Sequence, residues 1–435
     1  MASSDNEVGL LENLAQRTQT AAAQIARFLS ESQTNSQVGD GQPGSFDIPL
    51  SAPPEINAAK ASLLESTMLI QQLVMSATDV QQQMTLYTQQ MAAIRWICRF
   101  DVATHVPPSG TVSYETLAAT AHVPQGELMR ISRMAMTAGF FQEPVQGRIG
   151  HTPTSRDLSS SSPVHDTFLF MSETGHAIVS RMPEMTEANL KLGPGAKPKT
   201  AFNIAMNTGM PFFKYIMSNP TLAKQQAAHM KTIVAAEESH IRHTVSGYSW
   251  GSLPQGAKIV DMGGSTGHVS IAIARAFPHL KFVVQDLPQV LSQRPPVPAD
   301  LGDRVVFEAH DFFQPQPASC QGADVFFIRQ CLQNWSDADA AKVLRTLLPA
   351  MDRGRSRIVI MSVVLASPSD AGVGQREKGI SRMRDLFMMQ AMGGGERDLA
   401  QWNAIVNEAD PGLDIVRVNK PHGSVLSVLE VRFRI

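Results

Sequence analysis

The strongest chemical signal in the chain is the run Ile259-Val260-Asp261-Met262-Gly263-Gly264-Ser265-Thr266-Gly267-His268. A β-branched apolar stretch ends in an acid, a glycine turn follows, and a helical pattern begins. Glycines are required where a Cβ would hold the backbone away from a ligand. The same turn alone is also compatible with a plain strand-to-helix connection. Two later segments sharpen it. Gln285-Asp286-Leu287-Pro288 offers a carboxylate to the paired hydroxyls of a ribose, and His310-Asp311-Phe312-Phe313 offers an acid and a ring to an adenine. Each closes a β-branched run, so the three belong along one crevice at the carboxyl edge of a sheet. Asp261 would repel a pyrophosphate. The turn therefore suits a nucleoside that carries a cationic amino acid better than it suits a dinucleotide.

These groups need a sheet to position them. From Ala257 the pattern alternates short β-branched runs (AKIVDM, KFVVQDL, RVVFEAHD, ADVFFIRQ, SRIVIMSVVL) with helices such as HVSIAIARAFP and SDADAAKVLRTLLPAM. That alternation predicts a mostly parallel sheet covered on both faces. LDIVRVNK and SVLSVLEVRFRI add an edge hairpin. The fold class expected is α/β: a Rossmann-like core over residues 251–435, preceded by a helical, winged-helix-like dimerisation domain.

Upstream, residues 1–57 open as a helix and pass into a Ser-, Gly-, Pro- and Gln-rich linker or arm. Residues 58–156 form a second domain. A long apolar, Gln-rich helix over Ala58–Met91 leaves an exposed apolar face that suits a second subunit. Three helices follow, with Ser113 as an N-cap and Gly139 as a stop, and then a hairpin around Gly147 and Gly150. Such a module can bind DNA, but Arg130, Arg133, Arg148 and Arg156 are too scattered for a recognition stripe, so dimerisation is the expected role. Residues 157–250 read as an all-helical linker that lines a pocket.

The bulk figures set limits. With 435 residues, 43% of them apolar, the chain can hold two or three cores, and a net charge of −2 argues against nucleic acid as a partner. Cys98, Cys320 and Cys331 lack paired spacing, which suits a reducing compartment, and a cytoplasmic protein without a metal site is expected. No apolar run is long enough for a membrane span, and the first residues do not form a signal peptide.

DMGGSTGH, QDLP, HDFF, LQNWSDADAAKVL and GGGERD, in that order, resemble the plant and fungal small-molecule O-methyltransferases from about residue 60 to the C-terminus. The resemblance implies S-adenosyl-L-methionine as cofactor. Asp261, Gly263, Gly264 and Gly267 would meet its methionyl part, Asp286 and Leu287 its ribose, and Asp311 and Phe312 its adenine. Arg329, at the end of the fourth strand, is counted with this set. The resemblance also implies a homodimer.

The pattern breaks where the chemistry should be. A neutral phenol, with a pKa of about 10, is a poor nucleophile, and the family's base is a histidine in a His-Asp-Trp segment. Here Cys331-Leu332-Gln333-Asn334-Trp335 puts Gln333 at that position, and an amide accepts no proton at physiological pH. Ser362 stands where the family has the acid that orients the histidine, whereas Glu396 matches the family's other acid.

Three readings follow. The one favoured by the sequence is an enzyme resembling the fungal O-methyltransferase-like pericyclases, which act on pyridone precursors. It would close a ring, with or without dehydration, on a polyketide or pyridone-like substrate. Gln333 and Asn334 would be hydrogen-bond donors and the cofactor a fixed cation that is not consumed. The alternative is O-methylation of a phenol or enol with another base. The second alternative is a non-catalytic protein that binds the cofactor.

His165, Leu169, Ser172 and His176 share a helical stripe, and His165 could replace the lost base or steer a ring closure. His229, His240 and His243 fall on one predicted helix without completing a metal site. Phe202, Met206, Met230, His176, Trp335, Phe387, Met388 and Met392 match the family's acceptor pocket. With 22 methionines in the chain, that lining suits a small apolar natural product of secondary metabolism.

Overall fold

A computed structural model describes residues 2–35, 48, 52–159, 162–193, 195–292, 294–370 and 372–434. Most of the expected linker lies outside the described residues. The chain divides into two compact units, one of residues 1–180, 213–233 and 374–376, the other of residues 181–212, 234–373 and 377–435.

The first unit is helical with one small sheet. The long apolar helix expected over Ala58–Met91 is two helices, Pro54–Val74 and Ala77–Arg99. The break is Ser76, whose side chain accepts from the Asp79 amide while Asp79 returns the bond to the Ser76 amide at 2.8 Å. This reciprocal cap starts a new helix inside an unbroken apolar pattern. Helices Tyr114–Ala121, capped by Ser113, and Gln125–Met136 follow. The hairpin of β2 (Gln142–Val145) and β3 (Arg148–Gly150) comes next, and β1 (Val112–Ser113) pairs with β3 to make a three-stranded sheet that the pattern did not announce. Ile97, Leu117, Leu128 and Ile149 form its core. Arg133 is spent on Glu143, and Arg148 on Thr111.

The second unit is built on seven strands: β4 (Lys258–Met262), β5 (Lys281–Asp286), β6 (Val305–Ala309), β7 (Val325–Arg329), β8 (Arg357–Val363), β9 (Leu413–Asn419) and β10 (Leu426–Phe433). Their order is β6-β5-β4-β7-β8-β10-β9. The first five pair in parallel, and β10 is antiparallel to β8 and to β9. Of the expected hairpin only β9 is an edge strand, opposite β6 at the other edge; β10 lies inside the sheet. The central strands are buried almost end to end, as expected where helices cover both faces. The sheet order reverses at β4, so β4 and its neighbours open a crevice at their carboxyl ends.

Candidate active site

The turn after β4 is closely packed. A Cβ at Gly264 would lie 2.6 Å from Val284 Cγ1 and 2.7 Å from Asp261 Oδ2. At Gly263 it would lie 2.8 Å from Cys331 Sγ, and at Gly267 2.5 Å from the Phe307 ring. Gly263 and Gly267 also have positive φ, a second reason for glycine at each. Helix His268–Ala276 starts from this turn.

Asp261 is buried at the end of β4, and burial pushes its carboxyl up to about 6 despite a 2.6 Å hydrogen bond from Ser270 and the field of Arg329. A buried carboxyl with one donor is suited to receive a cation. Asp286 accepts from the Ser265 and Leu287 amides, both at 2.8 Å, which fixes its carboxylate at the end of β5. Asp311 accepts from the Phe313 amide at 3.0 Å, and the Phe312 ring lies 6.0 Å from that of Trp335, edge to face. Arg329 donates to the Thr244 hydroxyl at 3.1 Å and to the Ser239 carbonyl at 3.0 Å. Cys331, half-buried behind the turn, is a thiol pushed up to about 12 by desolvation and by Asp261 and Asp286. The glycine turn and the lone buried acid fit S-adenosylmethionine, and the nine residues from Asp261 to Arg329 named above would hold it.

The second cluster forms where the loop after β7 meets residues 393–397. The Gly395 amide donates to the Gln333 carbonyl at 2.9 Å, and a Cβ at Gly394 would lie 2.2 Å from that same oxygen. Arg397, 2% exposed, locks the junction: it pairs with Asp337 at 2.8 Å and donates to the carbonyls of Leu332, Trp335 and Gly395. Gln333 is buried and its Oε1 has no partner; Asn334 beside it is half-buried. Glu396 is also buried, 3.5 Å from the Ser362 hydroxyl. Burial pushes its carboxyl up to about 7, against the pull of Arg384. Its backbone amide is fixed by Asp385 at 3.0 Å.

Of the expected pocket residues, Phe202 and Phe387 are linked through Phe212, at ring separations of 5.2 and 6.5 Å. Met206, Met388, Met392 and Trp335 are half-buried in the same unit. His165, His176 and Met230 belong to the first unit. There His165 is a core residue, with Nε2 3.0 Å from the Cys98 carbonyl, and His176 is exposed. The stripe through them is interrupted by a π-helical segment, Phe170–Gly175. His229 falls in a different unit from His240 and His243, because helix Pro220–Ala235 ends before the latter two; these three histidines do not share one helix. Arg384, Asp385, Arg397, Ser239 and Ser270 went unread in the sequence. Only the charged pair Arg384-Asp385, directly before the apolar run Leu386-Phe387-Met388-Met389, offered a signal.

Residues 195–410 match the O-methyltransferase domain. The chain is 38% identical over 431 residues to O-methyltransferase VdtC of Byssochlamys spectabilis, covering 97% of each chain. It belongs to the S-adenosylmethionine-dependent O-methyltransferase family, and S-adenosylmethionine is its cofactor. Among solved structures it is similar to OxaC in complex with SAH and oxaline, at TM-score 0.72 and 22% identity over 98% of this chain and 100% of that one. It is also similar to a protein described as a pericyclic reaction enzyme, at TM-score 0.69 and 23% identity over 86% and 94%. At such identities the likeness is one of fold.

Proposed function

We propose that this chain is an O-methyltransferase of fungal secondary metabolism that methylates a phenolic or enolic hydroxyl on an apolar natural product, with Glu396 as the base. The observation that carries this reading is the end-to-end similarity to fungal O-methyltransferases, together with the cofactor cradle around Asp261. S-Adenosylmethionine supplies an electrophilic methyl group. What this chain must add is a base and a dry, oriented acceptor. Gln333 takes no proton. Glu396 can: at about 7 its carboxyl is ionised near neutral pH and is a far stronger base than an ordinary glutamate. Against a phenol of pKa about 10, the transfer is uphill by about 4 kcal/mol. Removing the proton as the methyl bond forms avoids most of that cost. Ser362 and the Asp385 contact to the Glu396 amide orient the carboxylate. Phe202, Phe387, Trp335 and the nearby methionines supply the apolar lining.

One observation favours ring closure as a second reading: the buried Gln333 side chain has an unpartnered amide oxygen. Rotation exchanges its oxygen and nitrogen, so either can face a ligand. Two measurements separate the readings. The pathway product is compared by mass spectrometry with the precursor that accumulates without this gene, and the rate of Gln333→Ala is compared with wild type. A product heavier by one methylene unit, formed by Gln333→Ala within about threefold of the wild-type rate, supports methylation. An isobaric or dehydrated product, lost in Gln333→Ala, overturns it.

Helices Pro54–Val74 and Ala77–Arg99 expose Leu73, Val74, Val80, Met84 and Tyr87. That face supports a homodimer built on the N-terminal domain, which light scattering would detect as a doubled mass.

A further inference from the structure

Arg384 lies on helix Gln375–Met392, directly before the Asp385 that fixes the Glu396 amide. Its side chain is 16% exposed, and one nitrogen donates to the Ser239 hydroxyl at 3.0 Å, with Glu238 at 4.0 Å. Its other N–H groups meet no hydrogen-bond acceptor among the described residues. Arg397 shows what a structural arginine looks like in the same region, with a carboxylate and three carbonyls on its guanidinium. The guanidinium is mostly covered yet keeps N–H groups without a protein acceptor, so it has donors to spare for an oxygen ligand.

Its neighbours are incomplete in complementary ways. The Glu396 carboxylate has a single long contact with Ser362, and Gln333 Oε1 has none. Arg384 and Glu396 sense each other's charge but form no ion pair. Two opposite charges that act on each other without pairing can be bridged by a ligand that donates to Glu396 and accepts from Arg384. Ser239 aims the guanidinium: its hydroxyl binds Arg384 while its carbonyl binds Arg329.

We propose that Arg384 is a specificity-determining residue that binds a second oxygen of the acceptor, a carbonyl or carboxylate oxygen placed ortho to the hydroxyl that reacts. This rests on the methyl-transfer reading and narrows its substrate class to hydroxy-carbonyl aromatics and enols. The hydroxyl donates to Glu396, and its neighbour accepts from the Arg384 fork, which a lysine cannot reproduce.

The test is calorimetry on the full chain saturated with S-adenosylhomocysteine, so that no methyl transfer occurs. Two probes are titrated: α-naphthol and the naphthol that carries a carboxylate ortho to its hydroxyl. Wild type is expected to bind the carboxylate probe at least about tenfold tighter. Arg384→Met should bring that ratio close to one, and Arg384→Lys should lower it part of the way. Binding of S-adenosylhomocysteine certifies that each variant is folded; where Arg384→Met fails this check, Arg384→Gln replaces it. Equal binding of the two probes by wild type overturns the proposal, as does an unchanged ratio in a folded Arg384 variant. Because binding alone is read, a failure of methylation in other experiments leaves this result intact, and the reverse also holds.

Discussion

The backbone carbonyl of Gln333 accepts the amide of Gly395 at 2.9 Å, so Gln333 and the loop that carries Glu396 are joined through main chain. Their side chains are free of this contact. The loop that carries Glu396 is therefore anchored independently of the side chain at residue 333, as the role of base proposed for Glu396 requires.

The first consequence is kinetic. Glu396→Gln should lower the methylation rate by about a hundredfold or more, the usual size of a lost general base. In wild type the rate should rise with pH through about 7, as the carboxyl ionises, and the variant should lack that limb. A rate profile with the same inflection in both proteins would remove Glu396 from the role.

The same group makes a stability prediction of definite sign. Burial raises the Glu396 pKa from 4.5 to about 7, so the folded state holds a proton that the unfolded chain has already released. Stability is then intact below about 4.5 and falls as pH rises toward 7, by up to about 3 kcal/mol. Glu396→Gln should melt at a higher temperature than wild type at pH 8, and the difference should vanish near pH 4. Melting curves at the two pH values decide it.

Gly264→Ala sets a Cβ against Val284 and Asp261, and one of them must move. Overpacking of this kind costs about 1–3 kcal/mol. The change displaces Asp261, the acid proposed to receive the cofactor's cationic end. Affinity for S-adenosylmethionine should fall at least about tenfold in calorimetry, further than the loss of stability explains.

Arg397→Met removes the guanidinium that donates to the carbonyls of Leu332, Trp335 and Gly395. The loss should be about 3 kcal/mol in denaturant unfolding. Hydrogen exchange should quicken at Gly395, whose amide depends on the same junction. Cofactor affinity, set by the turn after β4, should hardly change.

The strand-end acids proposed to hold the cofactor were legible because their arrangement is local. Asp261, Asp286 and Asp311 each end a β-branched run, and a parallel sheet brings successive strand ends together without any further information. The acceptor half is not local. Ser239 meets Arg384 across 145 positions, and no pattern in either segment announces the other. Glu396 could be picked out, but not its altered acidity, which comes from burial. The Ser76–Asp79 cap was written in the residues as a short polar interruption, yet apolar periodicity on both sides masked it. The π-helical segment at Phe170–Gly175 carries no residue pattern that separates it from an α-helix, so the histidine stripe drawn through it does not survive.

Gly394 has no room for a side chain because the chain at Gln333 and Asn334 fills that space. Because main chain makes this contact, the side chain at 333 can be exchanged without rebuilding the loop beneath it. The scaffold is thus held by main chain and the side chain at 333 replaceable, like a handle that takes more than one blade.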